Sequence, residues 1–125
     1  MSQQLNKKII IAEDSVSIRE AIAFGLESEG YEVEKAANGL EALGKFNGQK
    51  VDLLLTDFHM PEMNGLELMK NVRKLEKYRH VPILVLTTET QKEVICQAKE
   101  AGGTGWMVKP FSIEKLVQTI RRLVR

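Results

Sequence analysis

The sequence predicts an α/β fold: a doubly wound, five-stranded parallel sheet with five helices, in one domain spanning residues 1–125. Two observations predict it. Short apolar runs alternate along the chain with longer segments of helical period, the pattern of repeated βαβ units. Two of those runs, Ile9-Ile10-Ile11 and Val51 to Leu55, are nearly continuously hydrophobic, broken only by Asp52, as strands covered on both faces must be.

Strands are expected at Lys8–Ala12, Tyr31–Lys35, Val51–Thr56, Pro82–Thr87 and Gly105–Val108. The first and third are expected at the centre of the sheet. Tyr31-Glu32-Val33-Glu34 alternates apolar and charged residues, which suits a strand at the sheet margin. Helix starts are signalled by capping-box pairs, Ser17 with Glu20, Asn38 with Glu41, Asn64 with Glu67 and Thr90 with Glu93. A fifth helix opens near Ser112, where Ile113, Leu116, Val117, Ile120 and Val124 share one face and the other is basic. Gly30 and Gly102 fall where helix C-caps are wanted.

Composition narrows the function classes. With 43% hydrophobic residues in 125, the chain can bury a sizeable core. Lys plus Arg number 18 against 17 Asp plus Glu, so no global field draws nucleic acid or an anionic membrane. Residues Met1 to Lys8 are polar, and the apolar stretches fall far short of the roughly 20 residues a membrane span needs. A cytoplasmic protein is expected. The lone Cys96 has no internal disulfide partner and is expected to be an inert, buried or half-buried thiol.

In an open parallel sheet, ligands bind outside the carboxyl ends of the strands. Here those ends lead into Glu13-Asp14, Asp57, Thr87 and Lys109-Pro110. Three carboxylates brought together need a proton or a cation between them. All-oxygen ligation without paired Cys or His points to Mg²⁺ or Mn²⁺ rather than zinc. With Lys109 as a second positive charge and the Thr87 hydroxyl nearby, the oxygens of an incoming phosphoryl group all find partners, and Asp57 can attack as a carboxylate nucleophile. Singly, each residue has a plainer reading: Asp57 as a loop cap, Glu13-Asp14 as acids at a helix start, Thr87 and Lys109 as ordinary strand-end residues. One phosphoryl-transfer site accounts for all of them together.

The segments IIIAEDS, LLLTDFHMPEMNG, LTT and GWMVKPF carry a resemblance that spans nearly the whole chain. It resembles the receiver domains of bacterial two-component response regulators, and among them the single-domain chemotaxis (CheY-like) group. The resemblance implies a flavodoxin-like sheet of order 2-1-3-4-5 and no output domain. It makes Asp57 the phosphoacceptor, with Mg²⁺ ligated by Asp14, Asp57 and the backbone carbonyl of His59, and Glu13 acting mainly through metal-bound water. Thr87 and Lys109 would contact the phosphoryl group, and the peptide bond before Pro110 would be cis. His59 and Glu89 stand where relatives tune dephosphorylation; His59 also reads as a plain loop residue or a metal ligand, and His80 as a solvated loop histidine. Glu13 replaces the more usual Asp, and Trp106 replaces the Tyr, Phe or His that serves as a rotating switch residue, its plainer reading being a buried core Trp.

On the same implication, phosphorylation draws Thr87 inward, Trp106 follows, and the surface of the fourth helix, fifth strand and fifth helix changes. Lys92, Ile95, Lys99, Trp106 and Arg122 are its candidate docking residues. The expected partners are a histidine kinase and a docking target such as a flagellar motor component, with the chain monomeric, binding no nucleic acid and inserting in no membrane. It would be no turnover enzyme, though able to catalyse its own phosphorylation and dephosphorylation. A single-domain phosphorelay intermediate, a kinase-binding regulator outside chemotaxis, and a phosphorylation-independent interaction domain are the alternatives. Two rival folds of function fit less well. A flavodoxin wants an uncharged, hydroxyl-rich loop where Glu13-Asp14 stands, and a haloacid-dehalogenase-type phosphatase wants a second Asp where His59 stands.

Overall fold

The structure, a computed structural model, describes residues 7–88 and 92–124. Its elements run β1 (Lys8–Ala12), α1 (Val16–Ser28), β2 (Glu32–Ala36), α2 (Gly39–Leu43), β3 (Leu53–Asp57), α3 (Gly65–Lys74), a 3₁₀ turn (Glu76–Tyr78), β4 (Ile83–Thr87), α4 (Lys92–Glu100), β5 (Gly105–Val108) and α5 (Ile113–Leu123). The five strands are parallel in the order β2-β1-β3-β4-β5. The sheet therefore has the expected order, with the alternating strand β2 at one edge and β3 at the centre.

Because side chains alternate across a strand, each strand feeds two cores. Ile10, Leu54, Ile83 and Val85 face α2, α3 and α4, where Ala42, Leu68, Met69, Val72 and Ala98 close the layer. Ile9, Ile11, Leu53, Leu55, Leu84 and Leu86 face the other side, against Ile22 and Leu26 of α1 and Leu116, Val117 and Ile120 of α5. Leu53, Leu54 and Leu55 are all fully buried, and each such side chain contributes about 1.5–3 kcal/mol by leaving water.

Three strands depart from the sequence expectation: β4 opens at Ile83 rather than at Pro82, which has no amide N–H to give the ladder, and the shifts of β3 and β2 have causes of their own. Val51 is buried, but Asp52 turns back on the start of β1: the Lys8 amide donates to its carboxylate at 2.8 Å, and its own amide donates to the Lys8 carbonyl at 2.8 Å. The strand begins at Leu53 and Asp57 becomes its last residue, paired in register with Leu86. Tyr31 closes α1 instead of opening β2. Its amide reaches the Leu26 carbonyl at 3.2 Å while Gly30, at φ 96°, donates to Glu27, the paired bonds of a Schellman cap.

The helix starts are as expected at Asn38, at Asn64 with a complete capping box, and at Ser112. At α1 the cap is Ser15, whose hydroxyl accepts from the Ile18 amide, and not Ser17; Glu20, the other half of the expected pair, instead bridges Lys35 at 3.0 Å. Thr90 lies outside the described residues. Cys96 is exposed on α4, contrary to a buried or half-buried thiol, because Ala98 is the residue that α4 turns inward. His80 is exposed in its loop, as expected.

Gly65, the first residue of α3, sits directly under the end of β3. A Cβ there would lie 2.1 Å from the Asp57 carbonyl oxygen and 3.0 Å from the Phe58 Cα. The Gly65 amide meanwhile donates to the Phe58 carbonyl at 2.9 Å, so helix and strand end are held in contact. Gly65→Ala must push backbone from backbone, at a cost of about 2–3 kcal/mol, and should displace Asp57. Gly48→Ala, where φ is 104° but nothing lies within 4 Å, should cost only the roughly 1–2 kcal/mol of left-handed backbone. Urea midpoints and the Asp57 region of an amide NMR spectrum separate the two.

Candidate functional site

The carboxyl ends of β1, β3, β4 and β5 lie along one edge of the sheet because all the strands run the same way. The loop after β1 carries Glu13, fully buried, and Asp14, exposed. β3 ends on Asp57, 4% exposed, and β4 on Thr87, also 4% exposed. Lys109 follows β5, its amide donating to the Thr87 carbonyl at 2.8 Å, and the Lys109–Pro110 peptide bond is cis. The residues singled out at four strand ends are thus brought to one place.

Their charges are arranged around one ammonium. Lys109 Nζ lies 2.6 Å from Asp57 Oδ1 and 3.1 Å from Glu13 Oε1. The second Glu13 oxygen, Oε2, accepts from the Ser15 amide at 3.0 Å. Carboxylate oxygens of Glu13, Asp14 and Asp57 lie within 4.8 Å of one another. One cation among three acids leaves the cluster electron-rich. Burial disfavours the Asp57 anion and the adjoining Glu13 carboxyl adds to it; against the opposing pull of Lys109, the Asp57 carboxyl is pushed up to about 8. Burial alone would depress the Lys109 ammonium, but its hydrogen bonds to Asp57 and Glu13 outweigh that and raise it.

A carboxyl that holds its proton to that pH beside two other acids marks a place where a cation can replace the proton. The donors are all oxygen and close enough to share an ion, so the residues fit a hard divalent cation. The His59 side chain is exposed, its ring edge-on to Phe58 at 4.9 Å between centroids. Glu89 lies outside the described residues.

The structure adds one residue that the sequence reading passed over. Arg19, in the first turns of α1, donates from Nη1 to the Glu13 backbone carbonyl at 2.8 Å. A sequence signal existed: the first turn of α1 carries no acid, and a cation near a helix N-terminus runs against the helix dipole unless it has a partner.

Trp106, on β5, is 38% exposed and is not a core residue. Lys99 Nζ stands 4.9 Å from its ring centroid, a cation–π contact of about 0.5–1 kcal/mol at a wet site. Lys92 and Arg122 are exposed and Ile95 is half-buried, so the expected docking residues lie on the α4–β5–α5 side of the molecule.

A doubly wound parallel sheet with an acid cluster and a lysine at its carboxyl edge defines a class of small α/β signalling domain. The chain belongs to the response regulator receiver domain family, whose profile matches residues 9–121. It is 34% identical over 119 residues to chemotaxis protein CheY-3 of Vibrio cholerae, covering 94% of this chain and 92% of that protein. It is 37% identical to chemotaxis protein CheY1 of Helicobacter pylori over 115 residues, 90% of this chain and 93% of that one. Among solved structures, chemotaxis protein CheY4 of Vibrio cholerae superposes with a TM-score of 0.90 at 44% identity, covering 94% and 98% of the two chains. The receiver domain of a Pseudomonas aeruginosa sensor histidine kinase, solved with a magnesium ion in its active-site cleft, matches with a TM-score of 0.86 at 28% identity over 94% and 97%. The chain is therefore a receiver domain of two-component systems, a family of phosphoacceptor signalling proteins rather than conventional enzymes. Among the described residues no helix is long and apolar enough to cross a membrane.

The raised Asp57 carboxyl has a sign that can be tested without metal. Unfolded, it loses its proton near its ordinary 3.8, whereas folded it keeps it to about 8. Between those values the folded state binds more protons, so stability falls as pH rises through the window. Metal-free protein should lose on the order of 10 °C or more of melting temperature across it, and Asp57→Asn should flatten the profile. Mg²⁺ should bind more tightly as pH rises, because it must displace that proton.

Proposed function

We propose that the chain is a phosphorylation-dependent switch in which Asp57 accepts a phosphoryl group from a phosphohistidine of a histidine kinase. The observation that carries this reading is the Lys109 ammonium held 2.6 Å from Asp57 Oδ1 at the mouth of an otherwise acidic cluster. Asp57 Oδ forms the new O–P bond as the N–P bond of the donor breaks; the departing electron pair goes to the imidazole nitrogen. The product on the protein is an acyl phosphate.

Asp14, Asp57 and the His59 backbone carbonyl would hold Mg²⁺, or Mn²⁺ in its place. Glu13, with both its oxygens already engaged by Lys109 and the Ser15 amide, is suited to act through metal-bound water. When bound, the ion supplies charge neutralisation at the phosphoryl oxygens. Lys109 meets a second side of the group, and the Thr87 hydroxyl a third. With a cation beside it, Asp57 would give up its proton and could serve as the nucleophile that the raised carboxyl alone is not. His59, beside the site, would set how readily water reaches the acyl phosphate, a role that the family resemblance gives to Glu89 as well.

The output follows on the α4–β5–α5 side. Thr87 moves toward the phosphoryl group and Trp106 responds, altering a surface made by Lys92, Ile95, Lys99, Trp106 and Arg122. A cleft of about 510 Å³ lined by Trp106, Phe111, Lys115, Thr119 and Arg122 supports docking of a short acidic or amphipathic segment there. Similarity to chemotaxis proteins supports a cytoplasmic, monomeric role in chemotaxis, with the flagellar motor switch as the docking target.

A small phosphodonor with Mg²⁺ should add one phosphoryl group to the intact mass and change Trp106 emission. Asp57→Asn should abolish both, and Lys109→Met should slow phosphorylation about 100-fold or more. Thr87→Ala should still be phosphorylated while the Trp106 response is lost. Unchanged mass in the wild type with an active donor would sink the switch reading.

A further inference from the structure

The three residues 13–15 that connect β1 to α1 present two acids to the site in different ways. Glu13 is fixed by its side chain, through Lys109 and the Ser15 amide. Asp14 is exposed and its side chain turns about its own bonds, so what the protein fixes is the backbone position from which the carboxylate reaches the site. That backbone is a planar peptide unit shared by the Glu13 carbonyl and the Asp14 amide, and its rotation about the adjoining dihedrals is the soft motion that swings the Asp14 carboxylate. The Glu13 amide is tied to the Ala36 carbonyl at 3.1 Å, on the near side of the hinge. On the far side Arg19 Nη1 holds the Glu13 carbonyl at 2.8 Å, and Arg19 is itself seated by its amide, 2.9 Å from the Ser15 carbonyl at the helix cap.

We propose that Arg19 is a positioning residue for the metal site: by gripping the Glu13 carbonyl it fixes the peptide plane that aims Asp14 at Asp57. The inference rests on the reading of Glu13, Asp14 and Asp57 as a divalent-cation site. A guanidinium beside an acid cluster also repels an incoming cation, so two effects of opposite sign compete. Charge alone predicts tighter metal binding when Arg19 is removed; positioning predicts weaker binding.

Calorimetric titration of the full chain with Mg²⁺ at fixed ionic strength decides between them. Arg19→Met and Arg19→Ala should weaken binding roughly 10-fold, the usual effect of losing a group that orients a metal ligand. Arg19→Lys, which keeps a donor and the charge, should recover part of the loss. The metal-free NMR spectrum of Arg19→Met should show a displaced Asp14 amide with Thr87 and Lys109 unmoved. Should Arg19→Ala fold poorly, Arg19→Met retains the apolar stem and carries the comparison. Met and Ala variants that bind Mg²⁺ as tightly as the wild type, or more tightly, overturn the role of Arg19 alone. A folded wild type that takes up no Mg²⁺ overturns the metal-site reading and this inference with it.

Discussion

The site depends on one electrostatic compromise: a single ammonium, on Lys109, set between two buried carboxylates. At 2.6 Å from Asp57 and 3.1 Å from Glu13 it offsets part of a desolvation cost that runs to several kcal/mol per buried ion. The offset is incomplete, and the residue of that imbalance appears as a proton retained on Asp57. A fully neutralised cluster would be more stable and unable to accept a cation or a phosphoryl group. Parallel strands are what make the compromise geometrically available. They release their chains at the same edge, and ties such as the Lys109 amide on the Thr87 carbonyl and the Phe58 amide on the Leu86 carbonyl hold neighbouring ends level.

Much of this was legible in the residues, for reasons that differ from element to element. β1 and β5 have the expected bounds, and β2 was recognisable as an edge from its alternation of apolar and charged residues. β3 was misplaced by two residues because hydrophobic runs record burial, and Val51 is buried without being in the strand. Ser15 and Ser17 compete as caps two residues apart, and the pairing of Ser17 with Glu20 favoured the wrong one. Glu13, Asp14, Asp57, Thr87 and Lys109 were visible because each ends a strand on the side where ligands bind. Arg19 was legible only as a cation in need of a partner at the start of α1; the partner is a backbone carbonyl, and carbonyls look alike in a sequence. Trp106 admitted a core and a switch reading; the bare residue type does not say which way an edge-strand side chain faces.

The division of the interior has a consequence for how a local event spreads. The sheet separates two cores, and substitutions on opposite sides share few neighbours, so their effects should be nearly independent. α4 belongs to one core through Ala98, whereas α5 belongs to the other through Leu116, Val117 and Ile120. Lys99 of α4 and Arg122 of α5 both stand beside Trp106 of β5, the strand at the rim. A partner resting on both helices is in effect reading two otherwise insulated compartments at once, and the rim strand is the narrow bridge by which news from either can be compared.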